Sequence, residues 1–307
     1  MKKIILSLIA FVLLSSAAHA AQPIRFGVPP WPGVTVKTAV VTQILETLGY
    51  ETKQLEVGPA IIYNGMINDE VEVMLAAWDP HHNDMVDPLV EAGKIDKIGT
   101  NQDTSIASLC VPDYVWNAGV KSFNDLDPNA DKFNNTIYNL EAGSGMNTEM
   151  EKIMNKDVAG LKDWEQMEST LAAMMADVGA HIKRKEWIVF GCWAPHWMNA
   201  IYDIKYLEGV PGTEKFVNQS YINTVVNKEF SKQFPEVYKF LQNFRISAET
   251  ENEWIYSFGY KKIAPEKVSQ DWIAANLDTV AVWLEGVKDA KGKPAMEIIR
   301  AEFKNQK

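Results

Sequence analysis

The sequence predicts an α/β protein, built on a parallel sheet and large enough for two lobes. Three observations carry that reading. Short apolar, β-branched runs alternate with stretches of helical spacing from residue 24 onward, the order in which crossover helices cover parallel strands. Two of the strand-like runs end in the same step, Trp78-Asp79-Pro80-His81 and Trp193-Ala194-Pro195-His196. The 307 residues are 47% hydrophobic, enough for a large core.

In chain order, Ile24 to Val28 reads as a strand closed by the loop Pro29-Pro30-Trp31-Pro32-Gly33. Thr35 to Leu48 has helical spacing, with Val36, Val40, Ile44 and Leu48 on one face and Gly49 as its stop. Tyr50 to Val57 is a second strand, Ile61 to Asn68 a short helix, and Val71 to Ala77 the strand that delivers Trp78. Pro80-His81 then starts a helix. Further strands are expected between Ile106 and Val111, over Thr136 to Leu140, more weakly over Leu161 to Met167, before Cys192, and over Tyr221 to Val226. Helices are expected over Thr148 to Asn155 and over Ser169 to Lys183. The second is capped by Ser169 and has Leu171, Met174, Met175 and Val178 inward. The rest reads helical: Phe230 to Gln242, Glu249 to Phe258, Pro265 to Asn276 and Ala281 to Glu285. The absence of a linker or repeat implies that the chain crosses between lobes more than once.

Residues 1–20 read as a cleaved leader. Lys2 and Lys3 precede the apolar run Ile4 to Leu14, and Ala18-His19-Ala20 offers a small-x-small cleavage site. The formal charge of −10 becomes −12 once Lys2 and Lys3 leave with it. An acidic chain without a basic run is a poor partner for nucleic acid or anionic lipid. Cys110 and Cys192 each end a strand-like run, and the sequence leaves open whether they are bridged or buried as free thiols.

Strand ends are where open α/β sheets bind ligands. Large aromatic faces there suit a cation with no N–H to donate, so the two Trp-Pro-His steps point to an aromatic cage for a quaternary ammonium group. His81-His82 is not a metal site by this reading, because adjacent histidines on a turn rarely converge on one ion. Gly143-Ser144-Gly145 lacks the outer spacing of a nucleophile elbow. No catalytic residue, metal or cofactor is expected. Ser144 instead suits an anion or hydroxyl at a helix start.

Three stretches bear a more specific likeness: Ala77-Trp78-Asp79-Pro80-His81-His82-Asn83-Asp84-Met85, Ala172-Ala173-Met174-Met175-Ala176-Asp177, and Trp193-Ala194-Pro195-His196-Trp197-Met198-Asn199. They resemble the substrate-binding proteins of glycine betaine/choline-type ABC transporters, over nearly all of the mature chain. The resemblance implies a two-lobed periplasmic-binding-protein fold of type II, with ligand trapped in the cleft by hinge closure. It places one lobe at residues 21–104 plus 221–307 and the other at 105–220. It further implies a periplasmic, monomeric partner of a membrane permease.

Carried onto this chain, the resemblance gives cage tryptophans at Trp78 and Trp193, with Trp31 matching a third. Choline-binding relatives carry an acidic residue where this chain has Gly33, and a tyrosine that falls on Ala107 or Ser108 here. A glycine at 33 bares the N–H groups of Gly33 and Val34 at a helix start, which favours an anionic tail and so glycine betaine or a close analogue over choline or trimethylamine N-oxide. Trp197 and Tyr114 are expected to complete the cage, and His196 to donate to a ligand carboxylate.

Overall fold

The computed structural model describes residues 22–216 and 219–304; the expected leader lies outside them. Among the described residues, nine strands form one sheet: β1 (Ile24–Val28), β2 (Thr52–Glu56), β3 (Val73–Asp79), β4 (Ile95–Pro112), β5 (Thr136–Asn139), β6 (Glu165–Glu168), β7 (Val189–Ala194), β8 (Ile204–Tyr206) and β9 (Gln219–Asn227). Their order is β2-β1-β3-β9-β4-β7-β5-β6, with β8 paired to β4. The strands β1, β2 and β3 pair in parallel, as do β5, β6 and β7. Between the two parallel groups run β9 and β4, antiparallel to each other and to their outer neighbours. The expectation of a parallel sheet is therefore corrected to two parallel groups joined by an antiparallel pair.

The crossing strand is β4, and at 18 residues it is about 60 Å long. Only its end, Ile106 to Val111, is legible as a strand. The earlier part carries Gly99, Asn101 and Asp103, residues poor in β propensity, and its register against β9 shifts three times. The adjacent strand β9, and β3 beyond it, hold it there. The fully buried Asn101 donates to the Leu75 carbonyl of β3 and to Thr224 of β9, at 3.1 and 3.0 Å.

The helix Pro32–Thr47 packs Val36, Val40 and Ile44 at zero exposure, each worth about 1.5–3 kcal/mol of apolar burial. It starts three residues earlier than expected because Pro32 occupies its first position, where a missing N–H costs nothing. The helices Ala248–Ile255, Pro265–Ala275 and Ala295–Phe303 close over it. Under them Trp272 stacks on Trp283 at 5.4 Å and meets Trp254 edge-on at 5.0 Å.

Several boundaries differ for identifiable reasons. Thr170, not Ser169, caps the helix Leu171–Arg184, accepting from the Ala173 N–H. Pro235 splits the stretch after Phe230 into Phe230–Gln233 and Pro235–Asn243. The helix after Ser247 ends at Ile255 and continues as a π-turn over Tyr256–Tyr260. Cys110 and Cys192, on adjacent strands, form a disulfide with Cα atoms 5.7 Å apart.

Candidate ligand-binding site

One cavity gathers the ends of several of these elements. The first is the start of helix Pro32–Thr47, where Trp31 stands at the N-cap and Gly33 and Val34 line the cavity. The leading N–H groups of a helix have no partner within it. Trp31 is turned inward, and its Nε1 donates to Glu141 Oε1 at 3.2 Å.

The end of β3 contributes Ala76 and Trp78, followed by a cis Asp79-Pro80 bond and the two histidines. His82 Nδ1 pairs with the Tyr63 hydroxyl at 2.8 Å, and its ring lies 6.1 Å from Trp31. His81 is buried against Phe216, with neither ring nitrogen hydrogen-bonded. Burial, reinforced by nearby Lys215, lowers the His81 pKa to about 4; burial and then His81 lower that of His82 to about 3. Both rings are neutral at physiological pH.

On the opposite side, Leu140 follows β5, and the helix Gly145–Asn155 brings Ser144, Gly145 and Met146. Ser144 caps that helix, its Oγ accepting from the Asn147 N–H at 3.2 Å. A side chain at position 145 is excluded, because its Cβ would lie 2.6 Å from the His81 carbonyl oxygen. The helix start is thus pressed directly onto the His81-His82 turn. Finally, the end of β7 supplies Trp193 and Pro195 across a cis Ala194-Pro195 bond, with Ala107 of β4 beside Trp193 in register.

Of the residues expected from sequence, Trp31, Trp78, Trp193, Gly33, Val34 and Ser144 meet at this cavity. Three expected residues do not line it. Tyr114 follows β4 at the end of β7 away from Trp193, and its hydroxyl donates to the Glu186 carbonyl. Trp197 packs instead on Tyr260, Tyr202 and His196. His196 accepts from the Met198 N–H at Nδ1 and lines a neighbouring concavity with Asn199 and Gln219. Burial lowers its pKa to about 3.

Two charged lining residues escape sequence reasoning. Lys37 and Glu251 are almost wholly buried and form an ion pair, Nζ to Oε1 at 3.2 Å. Lys37 also donates to Asn101 Oδ1 at 3.0 Å. Burial lowers the Lys37 pKa and Glu251 works against that. The one available signal was a lone lysine among the Val, Thr and Ala residues of its helix. Nothing in the sequence joins it to position 251.

The cavity also overturns a step in the sequence reading. The corner beside Gly33 does not lack a carboxylate, for a Cβ on Gly33 would sit 2.6 Å from Glu251 Oε1. Chemically the site offers three indole rings, two helix starts, neutral imidazoles and one buried ion pair.

Solved structures share this fold. The chain matches a choline-binding ABC-transporter protein in complex with choline at a TM-score of 0.89 and 29% identity, covering 92% of this chain and 98% of that one. Lactococcal OpuAC, closed on glycine betaine, matches at 0.77 and 27% identity, over 85% and 99% of the two chains. A curated relative, the glycine betaine/carnitine transport binding protein GbuC of Listeria monocytogenes, is 30% identical over 53% of each chain. The fold is accordingly that of two-lobed substrate-binding proteins with a cleft between the lobes. No helix among the described residues is long and apolar enough to cross a membrane. Residues 22–275 match the substrate-binding domain of ABC-type glycine betaine transport systems, and the chain belongs to that family of solute-binding proteins.

Proposed function

We propose that this protein captures a quaternary ammonium solute, glycine betaine or a close analogue, and presents it to the membrane permease of an ABC transporter. One observation carries the reading: Trp31, Trp78 and Trp193 come from three separate elements and line one cavity. Each indole face contributes about 0.5–2 kcal/mol toward a desolvated cation, so three together supply about 1.5–6 kcal/mol of the roughly 8 kcal/mol that micromolar binding requires, and burial of the apolar methyl groups supplies the remainder. The helix start at Ser144-Gly145 favours an anionic tail, and at the Gly33-Val34 start the charge of Glu251 is balanced by its ion pair with Lys37.

On this reading the leader at residues 1–20 exports a monomer to the periplasm. Trp31 and Trp78 belong to a lobe of residues 21–104 plus 221–307, and Trp193 to a lobe of residues 105–220, so closure completes the cage. Ser144 serves as a helix cap rather than a nucleophile.

Isothermal titration calorimetry on protein stripped of ligand by unfolding and refolding tests the proposal. Glycine betaine, choline and trimethylamine N-oxide are titrated in parallel. At least one binds at micromolar affinity or better; a folded protein that binds none of them would refute the cage.

A further inference from the structure

The three indoles of the cavity are not held alike. Trp78 and Trp193 belong to strands, in register with Ile222 of β9 and Ala107 of β4. Trp31 belongs to no strand; it stands in the loop before the helix Pro32–Thr47, and its side chain does not cap that helix. The bond that fixes its ring comes from across the cavity, where its Nε1–H meets Glu141 Oε1 at 3.2 Å, 110 positions along the chain. Glu141 is held in turn by the turn that it opens. Its carbonyl accepts from the Ser144 N–H at 3.1 Å, and Ser144 caps the helix Gly145–Asn155. Among the described residues no lysine or arginine forms an ion pair with Glu141, whereas Glu251 is committed to Lys37. The Glu141 carboxylate is therefore free to act on the indole.

We propose that Glu141 is a positioning residue of the cage, orienting Trp31 and strengthening its face toward the cation. This rests on the aromatic-cage reading and adds to it a residue that does not line the cavity. An indole has a positive edge and a negative face. Donation from the edge N–H to a carboxylate is a charge-assisted hydrogen bond, and it polarises the ring so that the face becomes more negative, which is what a quaternary ammonium group senses. The two partners belong to different lobes of the proposed division. The bond therefore forms as the cleft closes, so that Trp31 is locked only when solute is enclosed.

The test is a double-mutant cycle on the whole mature protein, stripped of ligand. It is read by calorimetry with whichever of glycine betaine, choline and trimethylamine N-oxide the wild type binds most tightly. Glu141→Ala is expected to weaken binding about ten- to thirtyfold, and Glu141→Gln, which keeps an acceptor, less than about fivefold. In a Trp31→Phe background, where no indole N–H remains, Glu141→Ala should cost less than about twofold. A second readout follows the Trp31 indole N–H in the nuclear magnetic resonance spectrum, assigned by its loss in Trp31→Phe. Its exchange with solvent should slow when solute is added to the wild type, and not in Glu141→Ala. If the alanine variant does not fold, the glutamine variant and the wild-type exchange decide. Equal losses from Glu141→Ala in the two backgrounds, or indole exchange unaltered by solute, overturn the proposal and leave the cage standing. Failure of the wild type to bind any of the three solutes removes the cage and this inference together.

Discussion

The two Trp-x-Pro-His steps have nearly the same sequence, end comparable strands and share a cis proline bond, yet they deliver different side chains to the site. At the end of β3, Trp78, His81 and His82 all line the cavity. At the end of β7 only Trp193 and Pro195 do; His196 faces the adjoining concavity, and Trp197 lies against the π-turn, where Gly259 admits its ring. The strand end fixes the tryptophan, because that side chain still belongs to the sheet. What packs on the turn decides the rest. The helix Gly145–Asn155 covers the first turn and seals its histidines inside, whereas Tyr260 and Tyr202 take Trp197 from the second.

A second contrast lies behind the turns. The β7 step is stapled to β4 through Cys192, the residue preceding Trp193, whereas no disulfide holds the β3 step. Closing 82 residues of chain restrains the unfolded state by about 4.5 kcal/mol in the chain-entropy account. Reduction, or paired Cys110→Ser and Cys192→Ser, should therefore give the largest stability loss, read as a drop in denaturant midpoint. A midpoint unchanged on reduction would mean that the β4–β7 pairing needs no staple.

Next in size comes the contrast between the tryptophans themselves. Trp78→Ala and Trp193→Ala should each weaken solute binding about ten- to a hundredfold. Trp197→Ala should lower thermal stability through lost packing on Tyr260 and change affinity less than about threefold. Calorimetry on the three variants separates these outcomes. A Trp197 variant as impaired in binding as the Trp193 variant would restore Trp197 to the cage.

The smallest stability effect per residue concerns the histidines, which differ in position but share burial. His81, His82 and His196 remain neutral in the folded protein, with pKa values near 4, 3 and 3. The unfolded chain takes up protons on them below about pH 6.5, so their contribution is complete above that pH and is lost as the pH falls toward 4. By pH 5 the loss amounts to at most about 2 kcal/mol per histidine. Melting temperatures from pH 7 to 5 should fall accordingly, and His81→Gln and His196→Gln should flatten the slope by similar amounts. A slope unaltered by either change would show that these imidazoles take up protons as readily in the folded protein as in the unfolded chain.

How much of this the sequence discloses follows the range of the interactions involved. The strands β1, β3 and β7, and the tryptophans at their ends, are legible because apolar runs and turn residues are local signals. The first half of β4 is hidden because its polar residues are stabilised by hydrogen bonds to β3 and β9 rather than by propensity. Lys37 and Glu251 are hidden for the same reason at greater distance. A burial of charge is legible only when its partner is known, and these partners lie at opposite ends of the chain. Tyr114 lies away from the site because its distance from Trp193 depends on the direction of β4 relative to β7, which no local pattern records.

The central claim is that the cavity recognises a positive charge through aromatic faces rather than only a bulky apolar group through its shape. The most direct measurement compares choline with its neutral carbon isostere, in which a quaternary carbon replaces the nitrogen, by calorimetry on the stripped wild-type protein. Shape and hydroxyl are preserved and only the charge is lost. Three cation–aromatic contacts predict that choline binds at least about tenfold, and up to a thousandfold or more, tighter. Equal affinity for the two would contradict the cage and reduce the site to an apolar cleft.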